Sequence, residues 1–212
     1  MAYHPKKIMR SLFPSARRLL VNQSVKRLSL DKYKRILVVG AGHDPYARLF
    51  SNVELYTKLD INPILGITDL VADAHFLPIK NGAYDCVIAV EVLEHLEDPQ
   101  VFIDEVYRVL SDKGVFVLTV PFIFHMHADP NDFLRPTREA LKLWLSSFSS
   151  MEISSQGNRV HVLSDLITTA FHPYSIFIFF RIFNYLIILP NILFSGVNNS
   201  TAVSGHMVVS VK

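Results

Sequence analysis

With one cysteine in 212 residues, the chain can form no intrachain disulfide, so its fold must be held by burial alone. The length suffices for that, since a chain of this size buries most of its apolar surface in one domain. Cys86 lies in an apolar run, which fits a reducing compartment. Glycine is also scarce, at eight residues, and no internal repeat or low-complexity tract is present. Half of the residues are hydrophobic and 19% are charged, so neither global disorder nor a multi-span membrane protein is expected.

Each end is poor in charge of some kind. The first 35 residues hold ten Lys or Arg and a single acid, Asp31, whereas the remaining 177 hold eleven basic and eighteen acidic side chains. A basic head on an acidic body suits an anionic partner, either a membrane surface or nucleic acid. Between Asp165 and Lys212 only Arg181 is charged. No uninterrupted apolar core with a small-residue cleavage site follows the basic start, so a secretory signal is not expected and the expected location is cytoplasmic. A mitochondrial presequence is a second reading of that start.

From Arg35 onward, short β-rich runs alternate with helical segments. Strands are expected at 36–39, 53–60, 70–72, 84–90, 114–120, 151–155 and 206–211. Asp98-Pro99 opens a helix, with the acid as cap and proline at the first helical position. Phe102, Val106, Val109 and Leu110 recur at helical spacing, and Lys113-Gly114 supplies the stop. A second amphipathic helix is expected at 137–148, offering Leu141, Leu143, Trp144, Leu145 and Phe148 to a core. Strands alternating with helices predict an α/β fold with a mostly parallel, doubly wound sheet and helices on both faces. Ligands of such sheets bind beyond the carboxyl ends of the strands, at the topological switch point.

The run at 36–39 ends in Gly40-Ala41-Gly42, which lets the backbone turn sharply and approach a ligand. Asp60 follows Gly40 by 20 residues, the spacing at which a second strand presents a carboxylate to ribose hydroxyls. A dinucleotide loop needs a third glycine, but this loop continues His43-Asp44-Pro45. An acid there repels a pyrophosphate and tolerates S-adenosylmethionine (SAM), which carries an ammonium, a sulfonium and one carboxylate. The local chemistry therefore favours SAM over NAD.

Four segments in this order, Gly40-Ala41-Gly42, Leu59-Asp60-Ile61, Ala72-Asp73-Ala74-His75 and the run 84–96, resemble the motifs of class I SAM-dependent methyltransferases. The resemblance is nearest to the type that includes the ubiquinone and menaquinone methyltransferases, and it covers roughly 34–150 and the last strand. It implies a Rossmann-like sheet of seven strands, mostly parallel, with an antiparallel final strand. It further implies that Gly40, Ala41 and Gly42 face the methionine part of SAM and that Asp60 holds the ribose. Ile61 would pack on the adenine, Asp73 would accept from its amine, Ala74 would contact the ring, and Glu91 would line the floor beside the methyl donor. Where the family often has an acid two residues before the first glycine, this chain has Val38.

After the fifth strand, the segment 121–137 resembles a subgroup found with bacterial polysaccharide and lipid-glycan biosynthesis, with His127, Asp132 and Arg135 in the matching places. A histidine near a carboxylate over the donor suits a general base acting on a hydroxyl. Two roles fit Asp132 and Arg135: part of that catalytic group, or a structural ion pair capping the next helix. His125, His127 and Asp129 lie too close along one loop for a tetrahedral metal site, so no metal is expected. His95 either faces the cofactor pocket or caps a helix.

The apolar stretch 174–189 would be about 24 Å long as a helix, short of the roughly 30 Å hydrocarbon core. Arg181 and Asn184 sit near its middle, and a crossing would strand the last β-run on the far side. The chain therefore divides into a basic helical segment (1–31) and a methyltransferase domain (32–212), with an apolar insert at about 160–196. Within that insert, 171–194 either lies in the membrane interface with the basic head, or covers the active site or a dimer partner. A lipid-linked glycan acceptor on the inner face of the cytoplasmic membrane would account for both features. A nucleic-acid substrate is disfavoured, since no Asn-Pro-Pro-Tyr motif follows the fourth strand. The rival reading is a non-catalytic, membrane-associated scaffold or regulatory subunit of the same fold.

Overall fold

The computed structural model describes residues 14–50, 52–127, 131–170, 186, 188 and 201–212. The insert 171–194 lies, but for two positions, outside the described residues, as do Asp129 and the first 13 residues of the basic head. Among the described residues, no helix is long and apolar enough to cross a membrane.

Seven strands form one sheet: β1 (Arg35–Val39), β2 (Leu55–Asp60), β3 (Leu70–Val71), β4 (Tyr84–Val90), β5 (Leu110–Pro121), β6 (Ser150–Gln156) and β7 (Gly205–Val211). Their order is β3-β2-β1-β4-β5-β7-β6. β1 pairs in parallel with β2 and β4, and β4 with β5, whereas β7 runs antiparallel between β5 and β6. The chain reverses direction across the sheet between β1 and β4, so the expected switch point lies at their carboxyl ends.

β1 shows why the central strands read as continuous apolar runs. Leu37 and Val39 join one core with Val87, Ala89, Phe116 and Leu118, while Ile36 and Val38 join a second with Cys86, Ile88 and Val117. A strand covered on both faces has no polar side to show. The first core is covered by α2 (Pro99–Val109) and α3 (Arg138–Trp144), which contribute Phe102, Ile103, Val106 and Leu141. Asp98 caps α2 as expected, accepting from the N–H groups of Gln100 and Val101. α3 is shorter than the expected 137–148, with Thr137 as its cap. Leu141, Leu145 and Phe148 are buried, but Leu143 is exposed, so its assignment to the core is corrected. Among the described residues the crossovers between β1 and β4 contain no α-helix, only loops and a short 3-10 turn, so the alternation of strand and helix is less regular there than the sequence suggested.

The helix of the basic head, α1 (Ala16–Lys26), is packed onto the domain. Leu20, Val21 and Val25 are buried along it, and it lies against α4 (Arg159–Ala170), β6 and β7. Its first turn is seated on the buried carboxylate of Asp165 in α4, which accepts from the N–H groups of Ala16 (3.0 Å) and Arg17 (3.1 Å). An anion at a helix N-terminus is well placed, because those N–H groups have no partner within the helix.

Burial nevertheless wins: it pushes the Asp165 carboxyl up to about 6, against the pull of those N–H groups and the Arg17 charge. From about pH 4 to about pH 6 the folded chain therefore keeps a proton that the unfolded chain has released. Stability falls with rising pH across that window and levels off above it. A displacement of that size is worth roughly 3 kcal/mol. Asp165→Asn should gain on the parent by up to that amount between pH 4 and pH 7, read by chemical denaturation at both values. A difference independent of pH would contradict the assignment.

Candidate functional site

The carboxyl ends of β1, β2 and β4 carry most of the expected cofactor residues. Gly40 and Gly42 both adopt the left-handed conformation, with φ of 64° and 50°. A Cβ on Gly40 would run into Val92, so this position demands glycine for space as well as for conformation. A Cβ on Gly42 would meet nothing within 4 Å. The Gly42 N–H donates to Asp60 Oδ2 (2.8 Å), and the N–H of Asn62 donates to Oδ1 (2.9 Å). Asp60 is thus oriented by the backbone and keeps lone pairs for a ligand.

The remaining cofactor residues divide by exposure. Ile61, beside Asp60, is 59% exposed, an apolar side chain at the rim. Asp73 is also accessible and accepts from the His75 N–H (2.9 Å), which holds its carboxyl below the usual range. Ala41 and Ala74 are buried. Val38 is buried in the second core and presents no charge where the family often has an acid.

Glu91 follows β4 with a φ of 56°, in a region where residues other than glycine are uncommon and often functional. Its carboxylate is already engaged. Arg17 of α1 donates through Nε to Oε2 (2.9 Å) and through Nη2 to Oε1 (2.5 Å), and the Thr119 hydroxyl donates to Oε1 (3.0 Å). Arg17 is 3% exposed and also donates to Gln156 Oε1 (2.6 Å). In sequence Arg17 is only one of ten basic residues in the head. Its partner Glu91 lies 74 residues away, which leaves no local signal of the pairing.

On the side of β4 and β5, the loop 121–137 is tied down by an ion pair between Arg135 and Asp132. Arg135 also donates to the carbonyls of Leu134 (2.7 Å) and His125 (3.1 Å). Burial pushes the Asp132 carboxyl up, but its bonds from Arg135 and the His127 N–H (2.9 Å) outweigh this and hold it low. The pair therefore organises its own loop. The expectation that it caps the next helix is corrected, because Thr137 does so.

His127 meets two residues from the turn after β4. Its Nε2 stands 3.9 Å from Glu94 Oε1, and Nε2 of His95 stands 3.8 Å from the same oxygen. The His95 and His127 rings meet edge to face with centroids 5.3 Å apart. Glu94 is completely buried, and neither of its carboxylate oxygens has a hydrogen-bond partner among the described residues. Burial, with the charge of Glu91 adding to it, pushes the Glu94 carboxyl up to about 8. In sequence Glu94 does not stand out, being one acid of the run 84–96. The signal that could have found it is an acid and a histidine side by side at a strand end, with further histidines after the neighbouring strand.

Comparison with known proteins agrees with this geometry. Residues 37–118 match the family model described as a methyltransferase domain. Ajmaline N-methyltransferase of Rauvolfia serpentina is 33% identical over 72 residues, which is 34% of this chain and 22% of that protein. A protein named probable phthiotriol/phenolphthiotriol dimycocerosates methyltransferase 2, from Mycobacterium ulcerans, is 32% identical over 97 residues, 39% of this chain and 38% of that protein. The match thus spans well under half the length of each of these relatives. Among solved structures, a SAM-dependent methyltransferase from Archaeoglobus fulgidus superposes with a TM-score of 0.62 at 14% identity, covering 98% of this chain and 99% of that one. Together, the matched segment from β1 into β5, its methyltransferase relatives and the strand order make the chain similar to the class I, SAM-dependent methyltransferases, in sequence over 37–118 and in fold over the whole sheet.

Proposed function

We propose that the chain transfers a methyl group from SAM to a hydroxyl of a small-molecule, glycan or lipid-linked acceptor. The residues present fit the donor. Beyond the glycine loop the space at Gly42 is open, Asp60 offers its carboxylate, and Ile61 supplies an exposed apolar surface. The Asp60 carboxylate, held by two N–H groups and with lone pairs to spare, suits a donor bearing a sulfonium and an ammonium and disfavours a pyrophosphate. When bound, SAM supplies an activated methyl group.

The single observation that carries the hydroxyl reading is the cluster of Glu94, His95 and His127 on the acceptor side, backed by Asp132 and Arg135. A neutral amine attacks a methyl group without first losing a proton, whereas a hydroxyl gains from having its proton drawn away. In the transfer the acceptor oxygen forms the new bond to carbon while the carbon–sulfur bond breaks. The electron pair stays on sulfur, and the hydroxyl proton leaves toward the cluster and on to solvent. Holding the oxygen in line with the methyl group is the larger part of the task.

The apolar insert 171–194 and the remaining basic residues of the head support a lipid-linked acceptor at the inner face of the cytoplasmic membrane. One experiment tests both halves. The protein is mixed with membrane extract and anionic lipid vesicles in the presence of methyl-deuterated SAM, and the vesicles are then sedimented. The expected result is protein in the pellet and a deuterated methyl group on a lipid or glycan oxygen, found by mass spectrometry. A label confined to nitrogen overturns the hydroxyl reading, and protein left in the supernatant overturns the membrane reading.

A further inference from the structure

We infer that Glu94, His95 and His127 form a binding site for a first-row divalent transition metal ion, of the zinc or cobalt type. The ligand atoms of the three side chains lie within 4.8 Å of one another. The two Nε2 atoms stand 3.8 and 3.9 Å from Glu94 Oε1, too far for hydrogen bonds. Ligands at about 2.0–2.2 Å from a shared ion lie roughly 3.3 Å apart, so small side-chain rotations close the set around one.

Glu94 points to an ion independently of that spacing. It is completely buried, both of its oxygens lack a hydrogen-bond donor among the described residues, and the two imidazoles stand 3.8 and 3.9 Å from Oε1. A buried carboxylate without a partner is costly in either protonation state. The neighbouring guanidiniums are already committed, Arg17 to Glu91 and Arg135 to Asp132. A divalent cation satisfies the carboxylate and both imidazoles at once.

The rings are also turned for it. His95 Nδ1 stands 2.5 Å from the Asn131 carbonyl oxygen. A carbonyl only accepts, so the proton sits on Nδ1, and in the neutral ring the lone pair sits on Nε2, facing Glu94. The Nδ1 of His127 faces Asp132 Oδ2 at 3.5 Å and the His125 carbonyl at 3.4 Å, again leaving Nε2 toward Glu94. An outer carboxylate or carbonyl behind each ligating imidazole is the arrangement that fixes and strengthens such ligands. The Phe133 N–H donates to the Glu94 carbonyl (2.7 Å), which ties the two segments together.

Two imidazoles and one carboxylate leave coordination positions open. Under the proposed function an open position takes an oxygen of the acceptor and makes its hydroxyl more acidic. His127 then acts through the ion and not as a free base. This role, unlike the site itself, rests on the hydroxyl reading above.

The test is titration of the metal-stripped protein with Co(II), without donor or acceptor, followed by visible absorption. The expected result is one equivalent bound with the d–d bands of low coordination number, displaced by Zn(II). The bands should be lost in both Glu94→Gln and His127→Ala, and Asp132→Asn should weaken binding by about 10–100-fold. Thermal unfolding confirms that each variant is folded. No Co(II) bands from the folded parent, or bands unchanged in both ligand variants, would overturn the site. Because metal is read without SAM, a protein that binds Co(II) but transfers no methyl group refutes the proposed function and leaves the site standing.

Discussion

Arg17→Ala should cost about 3–5 kcal/mol of stability, the range for removing one partner of a buried ion pair. Arg17 is 3% exposed, and its guanidinium serves Glu91 through two bonds and Gln156 through a third. The substitution leaves a half-buried carboxylate beside the completely buried Glu94 and removes the side-chain bonds from α1 to Glu91 and Gln156. Arg17→Lys should rescue only part of the loss, because a single ammonium cannot reproduce the two-pronged contact. A double variant, Arg17→Met with Glu91→Met, should recover much of it, since the stranded charge is gone as well. Equilibrium denaturation of the four proteins reads the effect. A loss below about 1 kcal/mol for Arg17→Ala would mean that the pair behaves as a surface contact.

The second large effect is on donor binding. Asp60→Ala should weaken SAM affinity by about 100-fold or more. Hydrogen bonds between a carboxylate and two ribose hydroxyls are worth about 1.5–3 kcal/mol each. The variant also frees the Gly42 N–H, which the carboxylate now holds at 2.8 Å, so the glycine loop loses part of its definition. Asp60→Asn should fall between the two, because it keeps an acceptor and loses the charge. Isothermal titration with SAM measures all three. Unchanged affinity in Asp60→Ala would move the ribose away from β2.

The sheet was legible because its central strands are covered on both faces and therefore read as unbroken apolar runs, as at Ile36 to Val39 and Cys86 to Val90. The start of α2 was legible because Asp98 and Pro99 act locally. The beginning of β5 was not. It starts at Leu110, directly from the helix, and accommodates a left-handed Lys113 (φ 61°) before Gly114, where the sequence placed the start. Residues 111–113 carry no strand signature, and the partner strand fixes them through an irregular register between Tyr84 and Cys86.

The positions proposed to hold the donor could be placed for the same reason as the sheet. Gly40, Gly42, Asp60 and Glu91 each sit at the end of a strand, where position in sequence nearly fixes position in space. The proposed acceptor side depends on pairing across the fold. His127 reaches Glu94 and His95 only because β4 and β5 are neighbours, and Arg17 reaches Glu91 only because Asp165 seats α1 on α4. Asp132 and Arg135 could be placed on a loop from sequence, but not assigned between catalysis and support. In the structure they brace the loop and orient His127.

The central claim is that the carboxyl ends of β1, β2 and β4 bind SAM. Its most direct test is calorimetric titration of the unaltered chain with SAM and, separately, with NAD. The account predicts saturable one-to-one binding of SAM and none of NAD. A folded chain that takes up NAD, or that gives no heat with SAM, would contradict it.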